Sequence, residues 1–230
     1  MASCDPVKRI PRKRLNHFAY PVVLRWCGVA SVLGGVLFVV WGYIDRPDIP
    51  ENLAVVIQGW AFVVTTLFLA AAVGLCVLVG SRLGRLGWMG MVLAGYALVS
   101  TLVVSATNLV LSATNLVVRA IVETDAAWAH FLLRKWLQNP TPWLSLMHTG
   151  LTLMGIAIVR SGPSRWTGAA VLGTGLSGWV YNVTDSGAVL EARLVHIGFG
   201  LLFSLGWVAL GVGLFAAGTS RAQKPQEPVG

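Results

Sequence analysis

The sequence predicts an all-α integral membrane protein with six transmembrane helices, both termini in the cytoplasm, and one short amphipathic helix on the outer surface between the third and fourth spans. Three observations predict this fold class. Hydrophobic residues make up 56% of the 230-residue chain, and its mean hydropathy is +0.72. Charged residues make up only 11%, whereas soluble domains carry about a quarter. Long apolar segments alternate with short connections, and the basic residues collect in every second connection.

A helix needs roughly 20 mostly apolar residues to cross the hydrocarbon core of a bilayer. Six segments meet this requirement, which predicts a single membrane domain over residues 21–217. Residues 1–20 form a basic tail before the first span, and residues 218–230 form a second tail. The predicted spans cover about 21–43, 53–80, 87–118, 143–159, 166–184 and 194–217.

The charge of the connections predicts the orientation. Lysine and arginine are enriched in cytoplasmic loops. Here 11 of the 17 lie in the two tails and in the second and fourth connections, whereas the first connection, "DRPDIPEN", is acidic and the third is nearly balanced. Both termini are therefore expected in the cytoplasm. The basic residues on this predicted cytoplasmic side are Lys8, Arg9, Arg12, Lys13, Arg14, Arg82, Arg85, Arg160, Arg165, Arg221 and Lys224.

Tryptophans provide a second indication of the membrane boundaries, because their rings prefer the two membrane–water interfaces. Three of them fall at the predicted cytoplasmic edge and three at the outer edge. The inner set is Trp26, Trp88 and Trp166, and the outer set is Trp41, Trp60 and Trp143.

The longest connection, residues 119–142, contains a predicted amphipathic helix over about 124–138. Thr124 and Asp125 form a typical helix start, and Asn139-Pro140 ends it. Apolar side chains share one face of this helix, which favours either the outer membrane surface or a partner protein as its contact. These side chains are Trp128, Phe131, Leu132 and Trp136.

The distribution of charge argues against several function classes. Arg25 is the only Lys, Arg, Asp or Glu within the six predicted spans, and it lies near a span end. Ion-coupled transporters, proton pumps and voltage sensors need ionisable groups inside the membrane. No phosphate-binding glycine loop, nucleophile elbow or H-E-x-x-H zinc motif occurs. The net charge of +8 follows the positive-inside pattern, so no nucleic-acid partner is predicted, and a catalytic role is disfavoured.

Two histidines are the candidate cofactor-binding residues. His148 and His196 lie near the predicted outer ends of the fourth and sixth spans, at similar depth, and each is followed by a glycine two residues later. A neutral imidazole can bind haem iron or the magnesium of a chlorophyll. Two other interpretations stay open: each histidine hydrogen-bonds a neighbouring helix, or a metal site recruits Asp185 or Glu191.

The third span repeats the phrase SATNLV at 105–110 and 112–117. Seven residues return a helix to nearly the same face, so Asn108 and Asn115 continue one stripe of small and polar residues. We expect this stripe to face protein, with Asn108 hydrogen-bonded to another helix and Asn115 above the hydrocarbon. The opposite face presents valines to lipid. The predicted outer polar cluster comprises Gln58, Asn108, Asn115, Asn182 and Asp185.

Pairs of small residues four positions apart predict close helix packing in the membrane. Five such pairs occur within the predicted spans. They are Ala30 and Gly34, Ser31 and Gly35, Ala70 and Gly74, Ala169 and Gly173, and Ala209 and Gly213.

These features predict a non-catalytic subunit of a larger membrane complex, an electron-transfer or pigment-bearing one that ligates haem or chlorophyll through its histidines. The preference for arginine over lysine and the abundance of alanine, valine and glycine are typical of a bacterial inner-membrane protein. Its expected partners are membrane lipids and other membrane subunits or a second copy. The alternative is a carrier or channel for a neutral or lipidic molecule along a Ser/Thr/Asn-lined path. A third hypothesis is a membrane enzyme that uses both histidines on a lipid substrate.

Overall fold

A computed structural model of the chain describes residues 19–44, 53–122, 141–161, 165–184 and 190–222. The described part is helical and contains no strand. A 3₁₀ turn over Gly80–Arg82 follows the second helix. The predicted amphipathic helix over 124–138 lies outside the described residues, as do residues 1–18 and 223–230 of the two tails. The helices are α1 (Ala19–Ile44), α2 (Ala54–Val79), α3 (Arg85–Val122), α4 (Thr141–Ser161), α5 (Arg165–Thr184) and α6 (Leu190–Ala222).

Four of these helices contain stretches long and apolar enough to cross a membrane, which indicates a membrane-embedded protein. α4 has a shorter apolar stretch, Leu144–Arg160. α5 is less hydrophobic because glycine, serine and threonine interrupt its apolar residues. Each helix coincides with one predicted span, although α3 and α6 extend several residues past their predicted ends. The four long stretches are Tyr20–Val40, Val55–Val79, Arg85–Thr114 and Ile197–Ser220.

The six helices form a closed ring in chain order. Each helix packs against the next along the chain, and α6 returns to pack against α1. α2 and α6 also touch across the centre of the ring. Neighbouring helices run antiparallel, so the starts of α1, α3 and α5 share one end of the bundle with the ends of α2, α4 and α6.

Glycines let the backbones of α1 and α6 touch. A Cβ built on Gly28 would lie 2.6 Å from the Gly211 carbonyl oxygen, closer than real Cβ atoms approach. Similar contacts occur seven residues to either side, where a Cβ built on Gly35 or on Gly218 would lie 2.7 Å from a carbonyl oxygen of the other helix. The contact spacing of seven residues keeps the small residues on one face of each helix. The contacts pair Pro21 with Gly218, Gly28 with Gly211, and Gly35 with Ser204.

The predicted small-residue pairs have a mixed outcome. Gly34, Gly35 and Gly74 do lie at close helix contacts. Ala169 and Gly173 instead face outwards, and a Cβ on Gly173 would meet nothing within 4 Å. The predicted close contact at this pair is therefore wrong, because both residues lie on the face of α5 that points away from its neighbours. The close contacts of α5 come from other glycines, which are Gly168, Gly175 and Gly178.

The predicted two faces of α3 are confirmed. Ala94 and Ala97 are fully buried, and a Cβ on Gly90 would lie 2.6 Å from the Gly150 carbonyl oxygen of α4. Ser105 is buried farther along the same stripe. The opposite face exposes Val92, Val99, Val103 and Val110.

One end of the bundle carries five arginines whose side-chain environment the structure describes. They lie at helix ends or in short turns on the same side. Three exposed tryptophans accompany them, Trp26, Trp88 and Trp166. The arginines are Arg25, Arg82, Arg85, Arg160 and Arg165.

Trp60 is the one tryptophan of the predicted outer set whose side chain the structure describes. The Trp60 ring is half-buried, and its Nε1–H donates a 3.0 Å hydrogen bond to the Leu37 carbonyl oxygen of α1. Trp60 therefore joins two helices. The side chains of Trp41 and Trp143 lie outside the described part.

Candidate functional site

His148 occupies the interior of the bundle, on the face of α4 that meets α5 and α6. Its side chain is 2% exposed, and its ring packs edge-on against Phe203 with 5.4 Å between ring centroids. Gly178 of α5 lies directly beneath the imidazole, because a Cβ at that position would overlap the ring. The absence of a side chain at Gly178 therefore makes the space that His148 fills.

The imidazole Nδ1 of His148 is buried and has no hydrogen-bond partner among the described residues. The backbone around it is satisfied, since the Thr152 hydroxyl donates a 2.8 Å bond to the His148 carbonyl oxygen. A buried polar atom without a partner costs free energy, so it is retained for a packing or binding reason.

Aromatic rings continue from His148 across the bundle. Phe203 contacts Phe38, with centroids 4.9 Å apart, and Phe68, with centroids 5.8 Å apart. Trp207 stacks on Phe68 at 4.3 Å with only 15° between the ring planes. We call this set the aromatic core, and it draws on five helices. Its members are Phe38, Phe68, His148, Tyr181, Phe203 and Trp207.

Hydroxyl groups near the aromatic core mostly bond within their own helices. Thr174 donates to the Ala170 carbonyl oxygen at 2.8 Å, and Ser177 donates to that of Gly173 at 2.7 Å. Ser31 is an exception, because its hydroxyl donates across to the Trp207 carbonyl oxygen of α6 at 2.6 Å. Hydroxyls bonded to their own helix have their donor occupied and are less available to a passing solute.

Two more buried polar atoms lack a partner in the described part, Ser204 Oγ and Trp207 Nε1. Both residues are on α6, beside or one turn from Phe203. Neither these residues nor the aromatic core were predicted from the sequence. The spacing of Phe203 and Trp207, four residues apart on one helix face, is the signal that would have indicated an aromatic stripe.

The expected similar depth of the two histidines is wrong. His148 packs against Phe203, whereas His196 lies seven residues before Phe203 on α6, about 10 Å along the helix. The register of α6 is fixed by its contacts with α5, where Gly206 meets Thr174 and Gly200 meets Tyr181. The first turns of α6, including His196, therefore lie farther from the aromatic core than the predicted span implied. The His196 side chain lies outside the described part.

The predicted polar cluster separates into places of different depth. Gln58 and Asn108 are half-buried on adjacent helices, each one residue from the contact between Gly59 and Leu109. Gln58 lies ten residues before Phe68, about 15 Å of helix. His148 is therefore deeper in the bundle than this amide pair.

The remaining members of the cluster stand at helix ends. Asn115 is in the last turns of α3 and Asn182 in the last turn of α5, but neither side chain is described, and Asp185 lies outside the described residues. No hydrogen bond joins the Asn108 amide to another helix within the described part, where we had expected one. The described residues also contain no group of three His, Cys, Asp or Glu able to hold a metal ion.

Comparison of the chain with known protein families, characterised proteins and solved structures gave no match. The function is therefore argued from the residues and their packing.

Proposed function

We propose that this chain is a non-catalytic integral membrane subunit of a larger bacterial membrane complex. It crosses the inner membrane six times with both termini in the cytoplasm. The observation that carries the proposal is the filled aromatic core, which occupies the centre of the bundle with rings from five helices. A protein whose interior is closed and nearly free of charge acts through its surfaces.

The described charges support this orientation. The five arginines with a described environment lie at one end of the bundle, and arginine-rich ends face the cytoplasm. The six-span count is supported by the antiparallel ring, because a helix that failed to cross would break the alternation of its neighbours. α4 and α5 cross despite their lower hydropathy, since their small residues face other helices.

The packing of His148 supports a structural role for its imidazole. Gly178 covers the Nδ1 side of the ring, and Phe203 lies at its edge. A haem or chlorophyll bound to this nitrogen would require α5 to move away from α4. His196 stays a candidate ligand for a pigment shared with a partner subunit, because it lies in the first turns of α6, beyond the aromatic core.

Co-purification tests the proposal. The tagged chain is extracted from its native membrane in mild detergent, and the product is examined by native mass spectrometry and by its absorbance spectrum. We expect a membrane-protein partner in fixed stoichiometry. A Soret or chlorophyll band that persists in His148→Ala and disappears in His196→Ala supports the pigment-bearing form.

Two results contradict the proposal. One is a chain that stays at 24.5 kDa, or a multiple of it, under all extraction conditions. The other is a pigment band lost with His148→Ala alone in a folded protein, which would overturn the structural role of that residue.

A carrier for a neutral or lipidic molecule is the second candidate, and the α3 stripe favours it. Ser105 is buried and Asn108 half-buried on the face that meets protein, although the packing of the interior leaves this path narrow. A liposome flux assay decides between the two. Flux of a small neutral solute that falls in Asn108→Leu but not in Thr107→Val, an exposed neighbour, would establish the carrier.

A further inference from the structure

A concavity of about 310 Å³ opens on the perimeter of the bundle, along the contact between α1 and α6. Its floor is the place where Gly28 meets Gly211, because neither glycine has a side chain to fill the space. It extends over residues 28–33 of α1, about 8 Å of helix. Its walls are exposed apolar side chains, Val29 and Leu33 on α1 and Val212 and Phe215 on α6. We call this surface the α1–α6 groove.

Arg25 stands at one end of the α1–α6 groove, three residues before Gly28. Its stem packs across α6 at Gly218, where a Cβ would lie 3.0 Å from Arg25 Cγ. Its Nε is buried and has no hydrogen-bond partner in the part of the chain that the structure describes. A guanidinium is always charged and can only donate hydrogen bonds.

An anionic oxygen would satisfy the buried Nε–H of Arg25 and balance its charge. None of the side chains whose environment is described is acidic, so no carboxylate within that part neutralises the guanidinium. Leaving a buried charge-bearing donor unpaired is costly. Long arginine side chains at span ends reach towards the lipid headgroups, and basic sites between helices at the cytoplasmic side recognise anionic lipid heads.

We infer that the α1–α6 groove and Arg25 together form a binding site for one anionic phospholipid. The phosphate accepts hydrogen bonds from the Arg25 guanidinium, and one acyl chain lies between Val29 and Phe215 on the glycine floor. The two halves of the site match the two halves of such a lipid in charge and polarity. A zwitterionic lipid offers the same phosphate and chain, but its cationic group offsets the attraction to Arg25, so the site favours an anionic headgroup. This site is independent of the proposed subunit function.

Native mass spectrometry of the full chain tests the site. The protein is reconstituted in phosphatidylcholine vesicles with a minor share of phosphatidylglycerol and released in mild detergent, and the retained lipids are counted. We expect one retained phosphatidylglycerol per chain. Arg25→Gln lowers this retention about fivefold, as expected for one arginine near a headgroup. Arg160→Gln, an exposed arginine at the same end of the bundle, leaves it unchanged.

A second pair of variants tests the acyl-chain half. Val212 and Val103 are both 59% exposed, but only Val212 lines the α1–α6 groove. Val212→Trp fills the groove and is expected to lower retention as much as Arg25→Gln does, whereas Val103→Trp does not. If Arg25→Gln fails to fold, this pair decides alone.

Three results overturn the inference. Retention that falls as much in Arg160→Gln as in Arg25→Gln, or as much in Val103→Trp as in Val212→Trp, shows general attraction to the membrane. Unchanged retention in Val212→Trp shows that the groove holds no acyl chain. A dimer that Val212→Trp dissociates, with no change in bound phosphatidylglycerol, shows that a second copy occupies the groove.

Discussion

The contact of α1 with α6 differs from that of α2 with α3. α1 and α6 touch backbone to backbone at three levels, and the Ser31 hydroxyl bonds across to the Trp207 carbonyl oxygen. Between α2 and α3, the glycine contact is that of Gly59, where a Cβ would lie 3.8 Å from a Leu109 methyl group. That distance is ordinary van der Waals contact.

The difference shows what a close helix contact requires in this protein. α1 and α6 both carry small residues at seven-residue intervals, and the two sets meet in antiparallel register. At the α2–α3 contact only α2 is small, because Gly59 meets the larger Leu109 of α3, whereas the stripe of small residues on α3 meets Gly150 of α4 closely. Small residues on one helix are therefore not sufficient, because the opposite helix must be small at the same level. Three substitutions test this comparison, and a fourth tests the close contact between α4 and α5.

Gly211→Val is expected to have the largest effect. Its side chain would collide with the Gly28 carbonyl oxygen and with Val32, at 2.5 and 2.7 Å from the first added carbon. Overpacking of this kind lowers the free energy of unfolding by about 3 kcal/mol, measured by reversible unfolding in mixed micelles. Gly173→Val is the control, because its first added carbon meets nothing within 4 Å. Equal losses in the two variants would contradict the close contact.

Gly178→Ala is expected to cost about 2 kcal/mol, because the added methyl group overlaps the His148 imidazole. The same substitution in a His148→Ala background should cost much less, since the overlapping ring is gone. A double-mutant cycle measures this coupling as a difference in unfolding free energy. If the two changes are additive, His148 does not pack on Gly178.

Ser31→Ala removes the hydroxyl that bonds across α1 and α6, and we expect a loss of about 0.6 kcal/mol in unfolding free energy. Thr66→Ala is the matched control, because that hydroxyl bonds within its own helix to the Phe62 carbonyl oxygen at an exposed position. A larger loss of unfolding free energy in Thr66→Ala than in Ser31→Ala would contradict the stabilising role of the hydrogen bond between α1 and α6.

Gly59→Ala is expected to have the smallest effect, within about 0.5 kcal/mol, because the space beside Gly59 already accommodates a methyl group. The same unfolding measurement applies. A loss comparable to that of Gly211→Val would show that α2 and α3 approach as closely as α1 and α6.

Much of the helical architecture was predictable from the sequence. The six apolar segments match the six described helices, because spans follow from length and hydropathy. The valine face of α3 was predictable as well, since a stripe sustained from Gly90 to Ser105 leaves only one orientation for its opposite side. The register of α1 against α6 was not predictable from the sequence, because it depends on which glycines of two distant segments meet.

The candidate site was predicted less well. The sequence selected His148 as a candidate cofactor ligand near the outer end of its span, but it did not show that Gly178 and Phe203 surround the ring. It also placed His196 at the same depth, because the depth of a residue depends on how far each helix extends beyond its apolar stretch. Phe203 and Trp207 were treated as ordinary apolar residues, although they join five helices into one core.

Thiol modification at position 204 tests most directly whether the interior is closed. Ser204 is 2% exposed beside the aromatic core, and Ser220 is exposed near the end of α6. Each is replaced by cysteine in a Cys4→Ser chain, and a charged, water-soluble thiol reagent is added to both faces of the membrane. A closed interior predicts modification of Ser220→Cys, while Ser204→Cys reacts no faster than the Cys4→Ser chain. Equal reactivity at the two positions would contradict the closed core and establish a water-accessible path through the bundle.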